Sequence, residues 1–283
     1  MKTQQKLEQN FSCEFFPTKT EQGMEKLFAT AETLQQAIKP KFFSVTFGAG
    51  GSTRETTFDA VTKIKQHTGC DVAPHLSCIG SSKQQLREIL DDYKAQGIKR
   101  IVALRGDMPS GTVSHGDFNH ANELVTFIRE SYNDHFHIEV AAYPEVHPQA
   151  QSASKDLENF RNKVNAGANS AITQYFYNID SYYYFIESCE KMGLDLPIVP
   201  GIMPITNFSS LARFSETCGA DIPQWLRRKL ESYADDTDSI KDFGAEFVSS
   251  MCQKLLEMGA PGLHFYTLNQ SEASLRIWNN LKN

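Results

Sequence analysis

Residues 11–47 have the sequence FSCEFFPTKTEQGMEKLFATAETLQQAIKPKFFSVTF, which contains a strand, a helix and a second strand in turn. The apolar runs Phe11–Phe16 and Phe42–Phe47 are rich in residues that favour strands. Between them, Met24–Ile38 carries apolar residues at helical spacing. Two strands joined through a helix predict a βαβ unit, whose two strands run parallel in one sheet.

The same alternation continues to the end of the chain. Six further strands are predicted at Val72–Cys78, Arg100–Arg105, His137–Tyr143, Ser170–Phe176, Pro197–Ile202 and Leu263–Thr267. Eight such units in 283 residues predict an α/β fold of the closed (β/α)8 TIM-barrel type, forming one domain over residues 1–283. The long stretch Thr206–Glu257 predicts extra helices in the seventh unit. An open doubly wound sheet is the alternative, but its Gly-x-Gly-x-x-Gly motif is missing after the first strand.

Composition excludes several classes of partner. The net charge of −6 argues against a surface for nucleic acid or anionic membrane. No apolar run is long enough to span a bilayer, and the polar first ten residues do not resemble a signal peptide. The six cysteines form no Cys-x-x-Cys pair, so we expect a reduced, cytoplasmic protein without disulfides or structural zinc.

Polar side chains collect where the predicted strands end, which is the face that carries the active site in a barrel. These strand-end residues are Glu14, Thr46, His75, Arg105, Gly106, Asp107, Tyr143, His147 and Gln174. Glu14 lies among three phenylalanines, so we expect loss of water to raise its pKa and to prepare it as a proton donor. This convergence favours an enzyme.

Two other functions fit the same residues. Glu14, His75, Asp107 and His147 could hold a metal in a barrel hydrolase, although no His-x-His pair stands at a strand end. A non-catalytic module could instead use the pocket to bind its ligand. Two loops are less informative: Gly48–Ser52 permits close approach of a ligand to the backbone, and His115 and His120 are interpreted as solvated.

Eight motifs carry a resemblance that spans nearly the whole chain. In order they are FSCEFFP (11–17), SVTFGA (44–49), APHLSC (73–78), ALRGD (103–107), AAYPEVHP (141–148), AITQYF (171–176), PGIMPI (200–205) and HFYTLN (264–269). As an ordered set they are highly specific, and they closely resemble the bacterial 5,10-methylenetetrahydrofolate reductases. The chain resembles the catalytic barrel of that family without the regulatory domain of its eukaryotic members.

The resemblance implies a barrel with noncovalent FAD, a pyridine nucleotide as reductant and a folate as substrate. It implies FAD-dependent, ping-pong reduction of 5,10-methylenetetrahydrofolate to 5-methyltetrahydrofolate, which supplies methyl groups for methionine synthesis. No motif distinguishes NADH from NADPH; we expect NADH. The resemblance also implies a homo-oligomer, with a tetramer as the expected assembly.

The resemblance assigns a role to each matching residue. Glu14 matches the general acid, Asp107 matches a carboxylate beside the flavin and the pterin, and Gln174 and Phe214 match substrate contacts. The matching FAD contacts are Thr46, Phe47, Ala49, His75, Arg105, Gly106, Tyr143, His147, Ala150, Asp156, Asn159 and Lys163. Lys163 is expected to hold the pyrophosphate together with the amino-terminal end of its helix.

Two positions depart from the family pattern. Asn162 stands where a basic cofactor contact is expected, and Gln270 stands where an arginine that contacts the folate tail is expected. The mechanism that the resemblance implies is that Glu14 protonates the substrate's five-membered ring, directly or through water. The ring then opens to a 5-iminium cation that accepts hydride.

Overall fold

The computed structural model describes residues 1–47, 54–107 and 116–282. The Gly48–Ser52 loop, with the predicted cofactor contact Ala49, and His115 lie outside the described residues.

The described residues form one sheet in which every paired strand is parallel. The strands are β1 (Asn10–Phe15), β2 (Phe42–Val45), β3 (Asp71–Ser77), β4 (Arg100–Leu104), β5 (His137–Ala142), β6 (Ser170–Thr173), β7 (Ile198–Val199), β8 (Gly201–Ile202) and β9 (Gly262–Tyr266). They pair in the order β7-β6-β5-β4-β3-β2-β1-β9-β8. Because β7 and β8 are two pieces of one segment, this order closes a TIM-type barrel, as predicted.

Pro200 divides the seventh predicted strand. The piece before it pairs with β6 and the piece after it pairs with β9. Proline has no N–H to donate to a ladder, so a break at this position is expected. Gly201 is needed next because a Cβ there would lie 2.2 Å from the Thr173 carbonyl oxygen. The barrel therefore closes through a backbone contact that only glycine permits.

Ten α-helices occur in the described part of the chain. They are α1 (Glu21–Ile38), α2 (Arg54–Thr68), α3 (Lys83–Ala95), α4 (Ala121–Tyr132), α5 (Ala153–Asn165), α6 (Ile179–Lys191), α7 (Phe208–Cys218), α8 (Gln224–Glu231), α9 (Thr237–Glu257) and α10 (Glu272–Lys282). The extra helices predicted for the seventh unit are α7, α8 and α9. Within the described residues, none of the helices combines the length and the apolar character needed to cross a membrane.

Alternation along the strands separates an outer core from the barrel interior. Outward residues such as Phe15 and Phe43 pack with the helices in the main hydrophobic core. A smaller apolar layer fills the interior and consists of Phe42, Ala73, Val102 and Ile172. Polar inward residues lie on both sides of this layer, and those at the carboxyl ends of the strands face the candidate site.

Candidate active site

Glu14 points into the barrel from the carboxyl end of β1. Strand pairing places it beside Ser44 on β2 and beside Tyr266 on β9. Its Oε2 atom accepts a hydrogen bond from Ser44 Oγ at 2.9 Å and lies 3.0 Å from His75 Nε2 and 3.3 Å from His264 Nε2. The Glu14 side chain is only 13% exposed, so three strands hold one carboxylate in a nearly dry position.

The expectation of a raised pKa for Glu14 is wrong. Burial alone raises the pKa, but the charge of His75 and the hydrogen bonds from His264 and His75 outweigh burial and hold it well below its usual range. Local sequence misled because neighbouring residues on a strand point to opposite faces. Phe15 faces the outer core while Glu14 faces two imidazoles. In the ligand-free protein the carboxylate is therefore ionised.

His264 extends this network to the first strand. Its Nδ1 atom lies 2.7 Å from Ser12 Oγ, and its side chain is fully buried. Sequence reasoning missed Ser12, Ser44 and His264 as site residues because they lie within strands and not at strand ends. Polar residues spaced two apart, as Ser12 and Glu14 are on β1, were the available signal for an inward-facing polar column.

Glu14 lines a cleft of about 330 Å³, a size suited to part of a small-molecule ligand. The structure brings four other predicted site residues to this cleft, namely His75, Tyr143, Gln174 and Phe214. Further residues complete the walls, among them Tyr175, Met203, Thr217, Cys218, Tyr266 and Leu268. The cleft is thus an apolar and aromatic slot with one buried acid at its base.

A second cavity of about 460 Å³ collects most of the predicted cofactor contacts. These are Arg105, Tyr143, His147, Ala150, Asp156, Asn159, Asn162 and Lys163. His120, interpreted from the sequence as solvated, also lines this cavity, with Ala121, Asn122, Gln149, Gln151 and Lys155. Tyr143 lines both cavities, so the two adjoin at this residue.

One face of α5 forms a long wall of the second cavity. Lys155, Asp156, Asn159, Asn162 and Lys163 recur at helical spacing, so they share a face. At 1.5 Å per residue this face extends over about 12 Å. Lys163 therefore lies in the last turn of α5, and the expectation that it holds a pyrophosphate together with the amino-terminal end of this helix stays a prediction.

Lys163 is a half-buried cation that lines this cavity. Its Nζ atom donates to the Ala141 carbonyl oxygen at 2.6 Å. Burial lowers its pKa to about 8, and the charge of Asp156 offsets only part of that effect. A cation held in such a place is suited to pairing with an anionic ligand.

Asp107 is exposed in the turn that follows β4. Burial raises the pKa of Tyr143 to about 12, and the negative charge of Asp107 adds to that shift. The carboxylate is therefore close enough to act on the Tyr143 ring. Gly106 supports this turn with a φ of 81°, and a Cβ there would lie 2.8 Å from Ser77 Cβ.

Five predicted residues line neither cavity in the described structure: Gly106 and Asp107, which follow β4, and Thr46, Phe47 and Gln270. Thr46 and Phe47 follow β2, where the Thr46 N–H donates to the Phe15 carbonyl oxygen at 2.9 Å. Gln270 lines a separate cavity of about 80 Å³ between the loop after β8 and helix α10. The sequence prediction for these five positions stays a prediction.

The metal-hydrolase alternative finds no support in the geometry. Within residues 1–47, 54–107 and 116–282, no group of three or more His, Cys, Asp or Glu side chains is arranged to hold a metal ion. His147 lines the second cavity. The backbone N–H of His147 donates to Asp156 Oδ2 at 2.9 Å. Glu14 and His75 contact each other instead of converging with His147 on one point.

Known proteins match the chain over almost its full length. The 5,10-methylenetetrahydrofolate reductase of Pectobacterium carotovorum subsp. carotovorum is 42% identical over 272 residues, covering 96% of this chain and 90% of that protein. Methylenetetrahydrofolate reductase (NADH) 1 of Arabidopsis thaliana is 37% identical over 284 residues, covering 96% of this chain and 48% of that protein.

A solved structure and a family model also match this chain. A protein from Clostridium thermocellum, described as binding two copies of 5-methyl-5,6,7,8-tetrahydrofolic acid, has a TM-score of 0.68 over 99% of this chain and 97% of its own. At 15% sequence identity this similarity shows the fold alone. The family model for methylenetetrahydrofolate reductase matches residues 1–282. The chain therefore belongs to the methylenetetrahydrofolate reductase family of oxidoreductases.

Proposed function

We propose that the protein reduces 5,10-methylenetetrahydrofolate to 5-methyltetrahydrofolate, with FAD as cofactor and NADH as the reducing substrate. The main support for the proposal is that the cleft around Glu14 and the long cavity along α5 adjoin at Tyr143. This arrangement suits a flat ring system at the junction, with an extended anionic portion lying along the helix.

The residues of the second cavity fit FAD. Its wall of lysine, carboxylate and amide side chains runs for about 12 Å along α5, which suits an elongated dinucleotide. Lys163 and Arg105 supply positive charge for a pyrophosphate, and Asp156 and Asn159 can hydrogen-bond hydroxyl and amine groups. When FAD is bound, the chemistry that it supplies is hydride transfer from a reduced nicotinamide to the folate in two successive half-reactions.

Glu14 is proposed to carry the proton that opens the substrate's five-membered ring. The ring joins two nitrogens through a methylene and resists hydride until one carbon–nitrogen bond breaks. Protonating the leaving nitrogen yields a 5-iminium cation, which accepts hydride and becomes the methyl group. Because the low pKa of Glu14 keeps its carboxylate ionised, Glu14 must take up a proton, directly or through water, before it passes that proton to the substrate.

The surrounding residues have complementary proposed roles. Asp107 favours the iminium cation through its negative charge. Gln174 can donate and accept hydrogen bonds, which matches both a pterin edge and a nicotinamide carboxamide. Phe214 is 44% exposed and faces the cleft, so it can pack against either flat substrate as each occupies the site in turn.

The broader expectations remain proposals. The Arabidopsis thaliana relative carries NADH in its name, which supports NADH as the reductant. All six cysteines are free thiols, which supports a cytoplasmic location. We further propose one catalytic domain over residues 1–283, a homo-oligomer that is a tetramer, and a role in supplying methyl groups for methionine synthesis.

The proposal is tested by product analysis. Purified protein supplied with FAD, NADH and 5,10-methylenetetrahydrofolate should form 5-methyltetrahydrofolate in equal amount to the NADH consumed, as measured by chromatography. A metal-chelator control should leave the rate unchanged. A protein that takes up no FAD, forms no 5-methyltetrahydrofolate and has a hydrolytic activity lost with the chelator would support the hydrolase alternative. Binding of folate without turnover would support a binding module.

A further inference from the structure

Helix α7 (Phe208–Cys218) forms one wall of the Glu14 cleft. Phe214, Thr217 and Cys218 line the cleft, and their spacing places them on one face of the helix. On this inner side, Ser215 Oγ lies 3.0 Å from the Tyr175 hydroxyl oxygen, and Cys218 Sγ lies 3.4 Å from it. The position of α7 therefore sets the width of the cleft.

A carboxylate fastens the carboxyl end of α7 to the loop after β5. The Asp221 N–H, three residues beyond α7, donates to Glu145 Oε2 at 2.7 Å. Glu145 follows Tyr143, the ring shared by the two cavities, by two residues. The bond therefore ties the helix wall of the cleft to the loop that carries this ring.

A second contact joins the same two segments. Gly219 ends α7 in the left-handed region with a φ of 75°, and its N–H donates to the Ser215 carbonyl oxygen at 2.9 Å. A Cβ on Gly219 would lie 2.5 Å from Pro148 Cγ. The helix end and the β5 loop are thus packed too closely for any side chain at position 219.

We infer that Glu145 is a positioning residue: with the Pro148–Gly219 contact it forms a latch that holds α7, and with it Phe214, against the substrate cleft. The placement of Glu145 supports this role: burial raises the pKa of Glu145, and the hydrogen bond from the Asp221 N–H offsets part of that rise by favouring the ionised carboxylate. An acid that served only solubility would not occupy such a position. The inference rests on the proposed function in one respect, namely that the cleft receives the folate.

The first test compares two substitutions of Glu145. Glu145→Gln keeps a carbonyl oxygen that can accept from the Asp221 N–H, whereas Glu145→Leu keeps the approximate volume without an acceptor. We expect Glu145→Leu to raise KM for the folate roughly tenfold, which corresponds to the loss of one hydrogen bond to a charged group. The kcat of this variant should stay within about twofold of the kcat of the unmodified protein. Glu145→Gln should restore KM. Equal values in the two variants, or a loss confined to kcat, would overturn the latch.

The second test uses paired glycines. Gly219→Ala introduces a Cβ against Pro148, whereas Gly193→Ala adds one at a φ of 73° with nothing within 4 Å. Both substitutions carry the same backbone strain at the end of a helix, but only the first disturbs the latch. Gly219→Ala should raise KM as Glu145→Leu does and Gly193→Ala should not. A matching rise in both would assign the effect to strain and reject the latch.

A third readout does not depend on folate reduction. Cys218 is partly exposed, whereas the other five cysteines are buried, so a thiol reagent added to the folded protein reports on α7. We expect Glu145→Leu and Gly219→Ala to label Cys218 several-fold faster, with Glu145→Gln and Gly193→Ala unchanged. Unchanged labelling in all four variants would refute the latch. Faster labelling with no folate turnover in any protein would retain the latch and refute the proposed function.

Discussion

The carboxylate of Glu14 on β1 lies 3.0 Å from the Nε2 atom of His75 on β3, and the side chains are 13% and 11% exposed. At this separation, in a setting with little water, the charge of His75 favours the ionised form of the Glu14 carboxylate and lowers its pKa. Glu14 must therefore gain a proton before it can act as the general acid.

Replacing the acid should separate the two half-reactions. Glu14→Gln keeps the shape and a hydrogen-bonding oxygen but cannot pass a proton. We expect folate reduction to fall by roughly 10²–10⁴-fold, the usual contribution of a positioned proton donor. Flavin reduction by NADH should change much less, because that step needs no proton at the folate. Stopped-flow absorbance of each half-reaction measures both rates, and comparable losses in the two would contradict the role of Glu14.

Removing the charge of Asp107 should make the flavin easier to reduce and should slow the reduction of the folate. A nearby carboxylate opposes the negative charge of a reduced flavin, so Asp107→Asn should raise the flavin potential, on the order of 20 mV for a partly screened charge. The same change removes a group that favours the cationic iminium, so folate turnover should slow. Redox titration with a dye of known potential measures the first effect. An unchanged potential would exclude Asp107 from the flavin's surroundings.

Binding of FAD should weaken at alkaline pH because of Lys163. Its pKa in the ligand-free protein is lowered to about 8, whereas a bound pyrophosphate favours the charged amine and raises the pKa. Affinity is therefore full below pH 8 and falls as the pH rises, by up to about tenfold per unit. Flavin fluorescence titrations from pH 7 to pH 10 measure this. Lys163→Met should bind weakly with a flat profile, and an equally steep profile in that variant would reject the assignment.

The buried pair of Arg100 and Glu139 should make stability depend on acid. The two side chains are 10% and 3% exposed and hydrogen-bonded, and Arg100 lies 4.5 Å from the centre of the Phe42 ring. Burial alone raises the pKa of Glu139, but the hydrogen bond from His137 and the charge of Arg100 lower it to about 2. Its stabilising effect is therefore present above the ordinary value of 4.5 and is lost as the pH falls toward 2.

This loss can be measured against a variant. Glu139→Gln should lower the free energy of unfolding at pH 6 by about 3 kcal/mol, because it leaves the buried Arg100 with the more distant carboxylate of Asp71, 3.8 Å away. Between pH 6 and pH 3.5 the difference from the unmodified protein should narrow by roughly 1 kcal/mol. Urea unfolding at both values provides the measurement. If the difference in unfolding free energy between Glu139→Gln and the unmodified protein stays constant with pH, the pKa of Glu139 is not lowered.

The fold was predictable because each strand is a compact β-rich run and each helix has its own apolar spacing. All eight predicted runs overlap observed strands, and the predicted helix Met24–Ile38 lies within α1 and ends at the same residue. The division of the seventh strand was not predicted, since Pro197–Ile202 is one apolar run by propensity. This run divides into two strands because its first part pairs with β6 and its second part pairs with β9. Pro200, which has no N–H to donate, lies between the two parts.

The sequence predicted the site residues that lie at the ends of strands, but it did not predict those that lie inside strands. Glu14, His75, Tyr143 and Gln174 meet in one cleft because parallel strands end on one face. The contact of Glu14 with His264 joins the first strand to the last, which no local pattern indicates. The pKa of Glu14 depends on such contacts, so its direction required the three-dimensional arrangement.

The central claim, a flavin that passes hydride from NADH to the folate in this barrel, is tested most directly by one absorbance experiment. The visible spectrum of the purified protein with FAD is recorded anaerobically, then after NADH, and then after 5,10-methylenetetrahydrofolate. The account predicts a flavin band that bleaches with NADH and returns with the folate. A protein that takes up no FAD, or whose bound flavin neither bleaches nor recovers, would contradict it.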